Sequence, residues 1–177
     1  GLDTCEYVVL TPSHQCPTNV TMPLERREAL LAWAQARDRV LIEDDYEAEI
    51  GLEGRALPAL KSLDRSGRVG YVGSLSKTLA HGLRIGHVVA PAGLIREMRA
   101  LRRLVLRHPP TNNEHTAALF IARGFRASFV RKLNTAYRER AETLTTALRR
   151  HLPDAVARRA QGGSALWVHL TGVRDTR

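Results

Sequence analysis

Gly73-Ser74-Leu75-Ser76-Lys77-Thr78, followed by Gly82-Leu83-Arg84-Ile85-Gly86, is the stretch that decides the fold. It stands between two short apolar runs, 69–73 and 86–90, that read as buried strands. A lysine in a small, hydroxyl-rich turn at the end of a buried strand is a phosphate clamp, a Schiff-base nucleophile or a solvated loop cation. The run superficially resembles a nucleotide-triphosphate loop, but that loop requires glycine at positions 76 and 71, where Ser76 and Tyr71 stand. What remains is a lysine beside two hydroxyls with Arg84 seven residues on, a set able to hold a single phosphate while the amine does covalent chemistry.

Upstream, Tyr7–Leu10 is a β-branched and aromatic strand that enters a loop at Thr11-Pro12-Ser13. A helix is predicted over 24–37, with Leu24, Leu30, Leu31 and Ala34 on one stripe. Val40-Leu41-Ile42 is a second buried strand and delivers Glu43-Asp44-Asp45 into the loop at its carboxyl end, where ligands gather in open α/β sheets. Residues 51–68, with Gly51, Gly54, Pro58 and Gly67, show no sustained period and read as an irregular excursion. Downstream the period becomes helical, over 92–106, 113–122 and 127–151. The last of these carries Phe129, Leu133, Ala136, Arg140, Leu144 and Leu148 near one face and is ended by Pro153. One more strand is expected at 165–170, after Gly162-Gly163. This order places a domain boundary near residue 123.

The 177 residues are 44% hydrophobic and 25% charged, enough for a real core, which excludes collagen-like, low-complexity and disordered classes. The formal charge of +9 invites a basic nucleic-acid binder. Through residue 122, however, 15 Lys plus Arg face 14 Asp plus Glu, whereas residues 123–177 hold 12 against 4. The excess therefore belongs to the long helix and the residues after it, where a solvated arginine-rich face is the ordinary reading. Cys5 and Cys16 form no CxxC pair and no zinc spacing, so neither a metal nor a disulfide scaffold is expected and the compartment reads as a reducing cytoplasm. No run approaches the ~20 apolar residues of a membrane span. Both ends of the chain read as internal to a longer protein, beginning at Gly1-Leu2-Asp3 and stopping at Arg174-Asp175-Thr176-Arg177.

Alone, Glu43-Asp44-Asp45-Tyr46-Glu47 reads as a divalent-metal site or a solvated acidic turn, and residues 11–19 as an α/β loop stiffened by Pro12 and Pro17. Together, residues 11–18, 41–49 and 73–86, in that order and each at a strand's carboxyl end, resemble the class I/II aminotransferases, pyridoxal-phosphate enzymes of fold type I. More narrowly they resemble the aminotransferase-like domain of MocR-type regulators of the GntR family, over about residues 7–170.

The resemblance implies an α/β fold: part of the fold type I large domain, a mostly parallel sheet with helices, over 1–123, then a long connecting helix and the start of a small α/β domain over 124–177. It implies pyridoxal 5'-phosphate as cofactor. Lys77 would form the Schiff base and move the substrate α-proton, and Asp44, with Asp45 the alternative, would pair with the pyridine nitrogen. Tyr46 would donate to the ring's 3-oxygen, and Ser74 and Arg84, with Ser76 as a helper, would bind the phosphate. Two departures stand in the first loop: Cys16 occupies the place of an asparagine that would bond the 3-oxygen, and Asn19 that of a glycine, which asparagine's tolerance of positive φ permits. The function implied is that of a MocR-type transcriptional regulator sensing an amine or amino acid through Schiff-base exchange at Lys77. The alternative is an active aminotransferase working between an amino acid and a 2-oxo acid. A homodimer that reaches DNA through a domain upstream of this chain, and touches no membrane, completes the expectation.

Overall fold

The computed structural model describes residues 4–47, 49–52, 57–157 and 161–172. Four strands form one sheet in the order β1 (Tyr7–Leu10), β2 (Val40–Asp45), β3 (Val69–Ser74), β4 (Gly86–Val89). The first three pair in parallel and β4 pairs antiparallel to β3, so the sheet is mostly parallel. Parallel neighbours need a crossover. Between β1 and β2 it is α1 (Leu24–Ala36). Between β2 and β3 the described residues include one short helix, α2 (Leu60–Leu63), where the sequence showed no period. Gly54 of that excursion lies outside the described residues.

One face of the sheet holds the core: Ala34, Leu41, Leu60 and Val69 are fully buried, with Val8, Leu10, Leu30, Leu31 and Trp33 packed against them. The alternate residues of β1, Tyr7 and Val9, are 63% and 68% exposed on the other face. Past β4 come α3 (Ala92–Leu106), α4 (Thr111–Ala122) and α5 (Phe125–His151), then a small antiparallel pair, β5 (Ala155–Ala157) and β6 (Val168–Leu170). The three-residue β5 was not foreseen, and β6 is shorter than the predicted strand. Gly124 takes φ +76° between α4 and α5, and Phe120 packs on Phe125 and edge-on on Phe129 to fix the corner. With 27 residues, α5 is roughly 40 Å long. It is tied to the segment after β2 where Asn134 Nδ2 donates to the Glu49 carbonyl (3.0 Å), Arg138 Nε donates to the Leu52 carbonyl (3.2 Å), and Arg126 pairs with Glu49.

Three ionic residues hold the connecting segments. Arg27 of α1 has no exposed surface; its guanidinium donates to the carbonyls of Met22 (3.0 Å), Pro58 (2.9 Å) and Pro12 (2.9 Å). The two carboxylate oxygens of the buried Glu43 accept from the Leu60 and Lys61 amides, both at 2.9 Å, satisfying the free N–H groups that start α2. Asp64 accepts from the amides of Ser66, Arg68 and Val69 and from Lys61 Nζ, which pins the turn into β3. Arg27→Met keeps the bulk but strips three carbonyls of their donor, and is expected to cost roughly 3–5 kcal/mol in denaturant unfolding of the intact protein. An unchanged midpoint would show that water replaces the guanidinium without penalty.

Candidate functional site

The acidic run does not leave the sheet at Ile42: β2 continues through Asp45, because its backbone keeps pairing with β3 as far as Asp45 opposite Gly73. Strand alternation then sends neighbouring carboxylates to opposite faces. Glu43 and Asp45 fall on the buried face with Leu41, and Asp44 on the open face with Ile42. Asp44 lies opposite Val72, whose face Ser74 shares two residues on.

Each buried carboxylate has partners. Asp45 accepts from the Tyr71 hydroxyl (3.2 Å) and from the Ser13 side chain. Burial nevertheless pushes its carboxyl above the usual range, against those bonds. Burial also pushes Glu43 up, with its two backbone bonds opposing. Tyr71 rises for the same reason, with the Asp45 charge adding to it.

The first loop closes over this edge. The Met22 amide donates to Pro12 O (2.8 Å), Thr21 Oγ1 donates to Ser13 O (2.9 Å), and Thr18 N donates to Gln15 Oε1 (3.1 Å). The Tyr46 hydroxyl donates to His14 O (2.8 Å), joining the first loop to the end of β2. Burial, followed by the negative charge of Glu47, pushes the Tyr46 phenol up to about 12, so it stays a donor at neutral pH. Cys16 is exposed and in no disulfide.

Lys77 lies in the turn after β3, closed by Leu79 N donating to Leu75 O (2.9 Å). Its Nζ is 3.7 Å from Glu47 Oε1; the lysine side chain is 37% exposed and that of Glu47 only 4%. Ser74 Oγ accepts from the Ser76 amide (3.2 Å), which leaves the Ser74 hydroxyl hydrogen free to donate, and Ser76 itself is buried. Arg84 sits in the left-handed region at φ 51° and is exposed. The turn before it is held by Asn113 Nδ2 donating to Leu83 O (3.1 Å), and the turn after by Leu75 N donating to Ile85 O (3.0 Å). The structure thus gathers Asp44, Tyr46, Ser74, Ser76, Lys77 and Arg84 at one edge of the sheet. Direct contact joins Tyr46 to the first loop and Lys77 to Glu47; among the described residues Asp44 and Arg84 make no hydrogen bond with the others.

Residues 162–165 also belong to this edge, which the sequence reading missed. Gly51 and Gly162 form a β-bridge, and the Gly163 amide donates to Ile50 O (2.8 Å). Asn19 Nδ2 donates to Gly162 O (2.8 Å) and Ala165 O (2.7 Å). Glu47 accepts from the Ser164 amide (2.8 Å) and from the Ser164 hydroxyl. A Cβ at Gly162 would fall 2.4 Å from Ile50 O and 2.3 Å from the His14 ring, so only glycine lets the two segments meet. The Gly162-Gly163 pair was the available signal, since adjacent glycines before a strand mark close backbone approach.

The family model described as aminotransferase class I and II matches residues 3–176. The chain is similar to the HTH-type transcriptional regulator TauR of Rhodobacter capsulatus, 48% identical over 97% of this chain and 35% of that protein. It is 36% identical to the probable rhizopine catabolism regulatory protein MocR of Rhizobium meliloti, over 83% of this chain and 30% of that one. Among solved structures, a Pyrococcus horikoshii kynurenine aminotransferase in complex with PMP superposes at TM-score 0.90 and 30% identity, over 95% of this chain and 42% of that one. The chain spans about a third of the length of the curated relatives it matches.

His14 makes the stability of this edge depend on pH. Its Nδ1 is buried without a partner among the described residues, and burial holds its pKa below 6.5 despite the nearby Glu47 and Asp45 charges. The unfolded chain takes up the proton first, so this contribution to stability is full above pH 6.5 and declines as pH falls below it. Stability of the intact protein measured from about pH 7.5 down to about 5.5 should decline less steeply in His14→Gln, and parallel curves would refute the assignment.

Proposed function

We propose that this chain, which belongs to the aminotransferase class I and II family, is the lysine-bearing part of the effector-sensing domain of a MocR-type transcriptional regulator. The observation that carries the reading is the 48% identity to a transcriptional regulator across 97% of the chain, joined to an intact lysine edge. On this reading residues 1–123 are the carboxyl-terminal part of a fold type I large domain, and 124–177 the connecting helix and the beginning of a small domain.

The residues of the edge fit pyridoxal 5'-phosphate, the cofactor that the family and the PMP-bound structural neighbour support. When bound, that group supplies an aldehyde that condenses with amines and a ring that acts as an electron sink. Lys77 supplies the amine, partly exposed and beside a carboxylate. Asp44, on the open face, would hold a proton on the ring nitrogen; Asp45 faces away and is already engaged by Tyr71 and Ser13. Tyr46, whose hydroxyl here donates to His14 O (2.8 Å), would turn that hydrogen to the 3-oxygen. Ser74 and Ser76 with Arg84, on either side of the β3–β4 connection, would take the phosphate. A bound amine or amino acid would displace Lys77 and free its side chain. The intact protein is proposed to act as a homodimer that reaches DNA through a domain outside this chain, by analogy with relatives named as HTH-type regulators.

Borohydride reduction of the intact protein with cofactor, followed by peptide mass mapping, is expected to leave the adduct on Lys77 and none in Lys77→Ala. An adduct on another lysine would refute the role. Asp44→Asn should weaken cofactor retention about tenfold or more, the loss of one charge-assisted hydrogen bond, with Asp45→Asn much milder. The reverse order would move the role to Asp45. Ligand-dependent DNA binding without amino-group turnover supports the regulator, whereas sustained turnover with an oxo acid identifies an aminotransferase.

A further inference from the structure

Glu47 is touched from both sides. Lys77 Nζ approaches Oε1 at 3.7 Å from the turn after β3, and Ser164 donates its amide to Oε2 at 2.8 Å and its hydroxyl to Oε1 from beyond α5. The Glu47 side chain is almost wholly withdrawn from solvent, and Lys77 is the one cation paired with it among the described residues. A buried carboxylate is stabilised chiefly by its hydrogen bonds and by the nearest opposite charge, so losing that charge weakens the site that holds it.

We propose that Glu47 is a coupling residue: it is shared between the Lys77 ammonium and Ser164, so that the charge on Lys77 sets how firmly residues 162–165 dock on the site edge. The surrounding geometry limits what moves. Asn19 grips Gly162 and Ala165 through carbonyls, and Gly163 bonds the Ile50 carbonyl, all without charge. Glu47 is the contact on this segment that responds to the lysine. With Lys77 free and protonated, its ammonium supports the carboxylate and the segment is held; with Lys77 tied to the cofactor, that support is withdrawn. An amine that displaces Lys77 would therefore tighten residues 162–165, the entry to β6, and transmit occupancy to the second unit.

This deepens the sensing role and in its ligand arm rests on it, so the test has two arms. In the intact protein without cofactor, hydrogen exchange at the Ser164 and Gly163 amides should quicken about threefold to tenfold in Lys77→Gln, recover in Lys77→Arg, and respond to neither change in a Glu47→Gln background. Unaltered exchange in Lys77→Gln, with β2 and β3 amides still protected, overturns the coupling. Should Glu47→Gln fail to fold, the Gln-against-Arg comparison at 77 decides alone. In the second arm the protein carries pyridoxal 5'-phosphate and is treated with hydroxylamine. Its nitrogen forms a C=N bond to the cofactor carbon as the C=N bond to Lys77 breaks, and the two hydrogens it loses pass to the lysine nitrogen, which takes a further proton from water. Exchange at Ser164 is expected to slow. A response to Lys77→Gln without one to hydroxylamine would refute the cofactor link while leaving the coupling standing.

Discussion

The period of two in a single strand organises this edge of the molecule. From Glu43 to Asp45 the strand carries three carboxylates in a row, with Glu47 in the turn that follows, and a pleated strand cannot place neighbours on one side. Each acid meets a different environment. Glu43 is spent on the start of α2, Asp45 on Tyr71 and Ser13, and Glu47 on Lys77 and Ser164, while Asp44 alone is turned to the open face. Alternation takes only Asp44 out of the buried surface; Glu43 and Asp45 share it, and that is tolerable because each is given its own donors. A one-residue slip of β2 against β3 would bury Asp44 without partners and expose Glu43, so the register decides which acids meet donors.

How much of this was readable depends on the range of the interaction concerned. The strands of the sheet and the helices around 24–36 and 92–151 follow from local period, and their mostly parallel pairing from the family resemblance carried by the three motifs. The end of β2 was set too early because Glu43-Asp44-Asp45 reads as a loop by composition. Only the pairing with β3 and the donors at α2 make strand tolerable for those residues. The short β5 has no periodic signature in three residues; its partner β6 creates it. Glu47 was visible as a charge but not as a partner of Ser164, because that contact spans 117 residues.

The long helix shows the same division. Its arginines account for much of the basic excess of the second part of the chain, and a solvated face is the ordinary reading of such a pattern. Two of them have structural duties instead: Arg126 pairs with Glu49 and Arg138 caps the Leu52 carbonyl. Both reach the segment just after Glu47, so the helix docks on the same stretch that receives residues 162–165. Charge that looks generic in composition is here directed at one short loop.

The first loop carries the most telling adjustment. The wider class I/II aminotransferase resemblance, though not the narrower MocR-type one at 16, leads one to expect glycine at 19 and asparagine at 16, whereas this chain has asparagine at 19 and cysteine at 16. Asn19 is buried at φ 55°, a conformation that costs asparagine less than most residues. Its amide supplies the two donors that the Gly162 and Ala165 carbonyls need, and its Oδ1 lies 2.8 Å from where a Gly163 side chain would begin. A side chain at 19 is therefore compatible with this packing only if 163 has none. Glycine at 19 would leave both carbonyls without these bonds. Cysteine at 16 is exposed and a poor donor, while the amide at 19 bonds residues 162 and 165. The buried amide of this loop is therefore committed to joining it to residues 162–165.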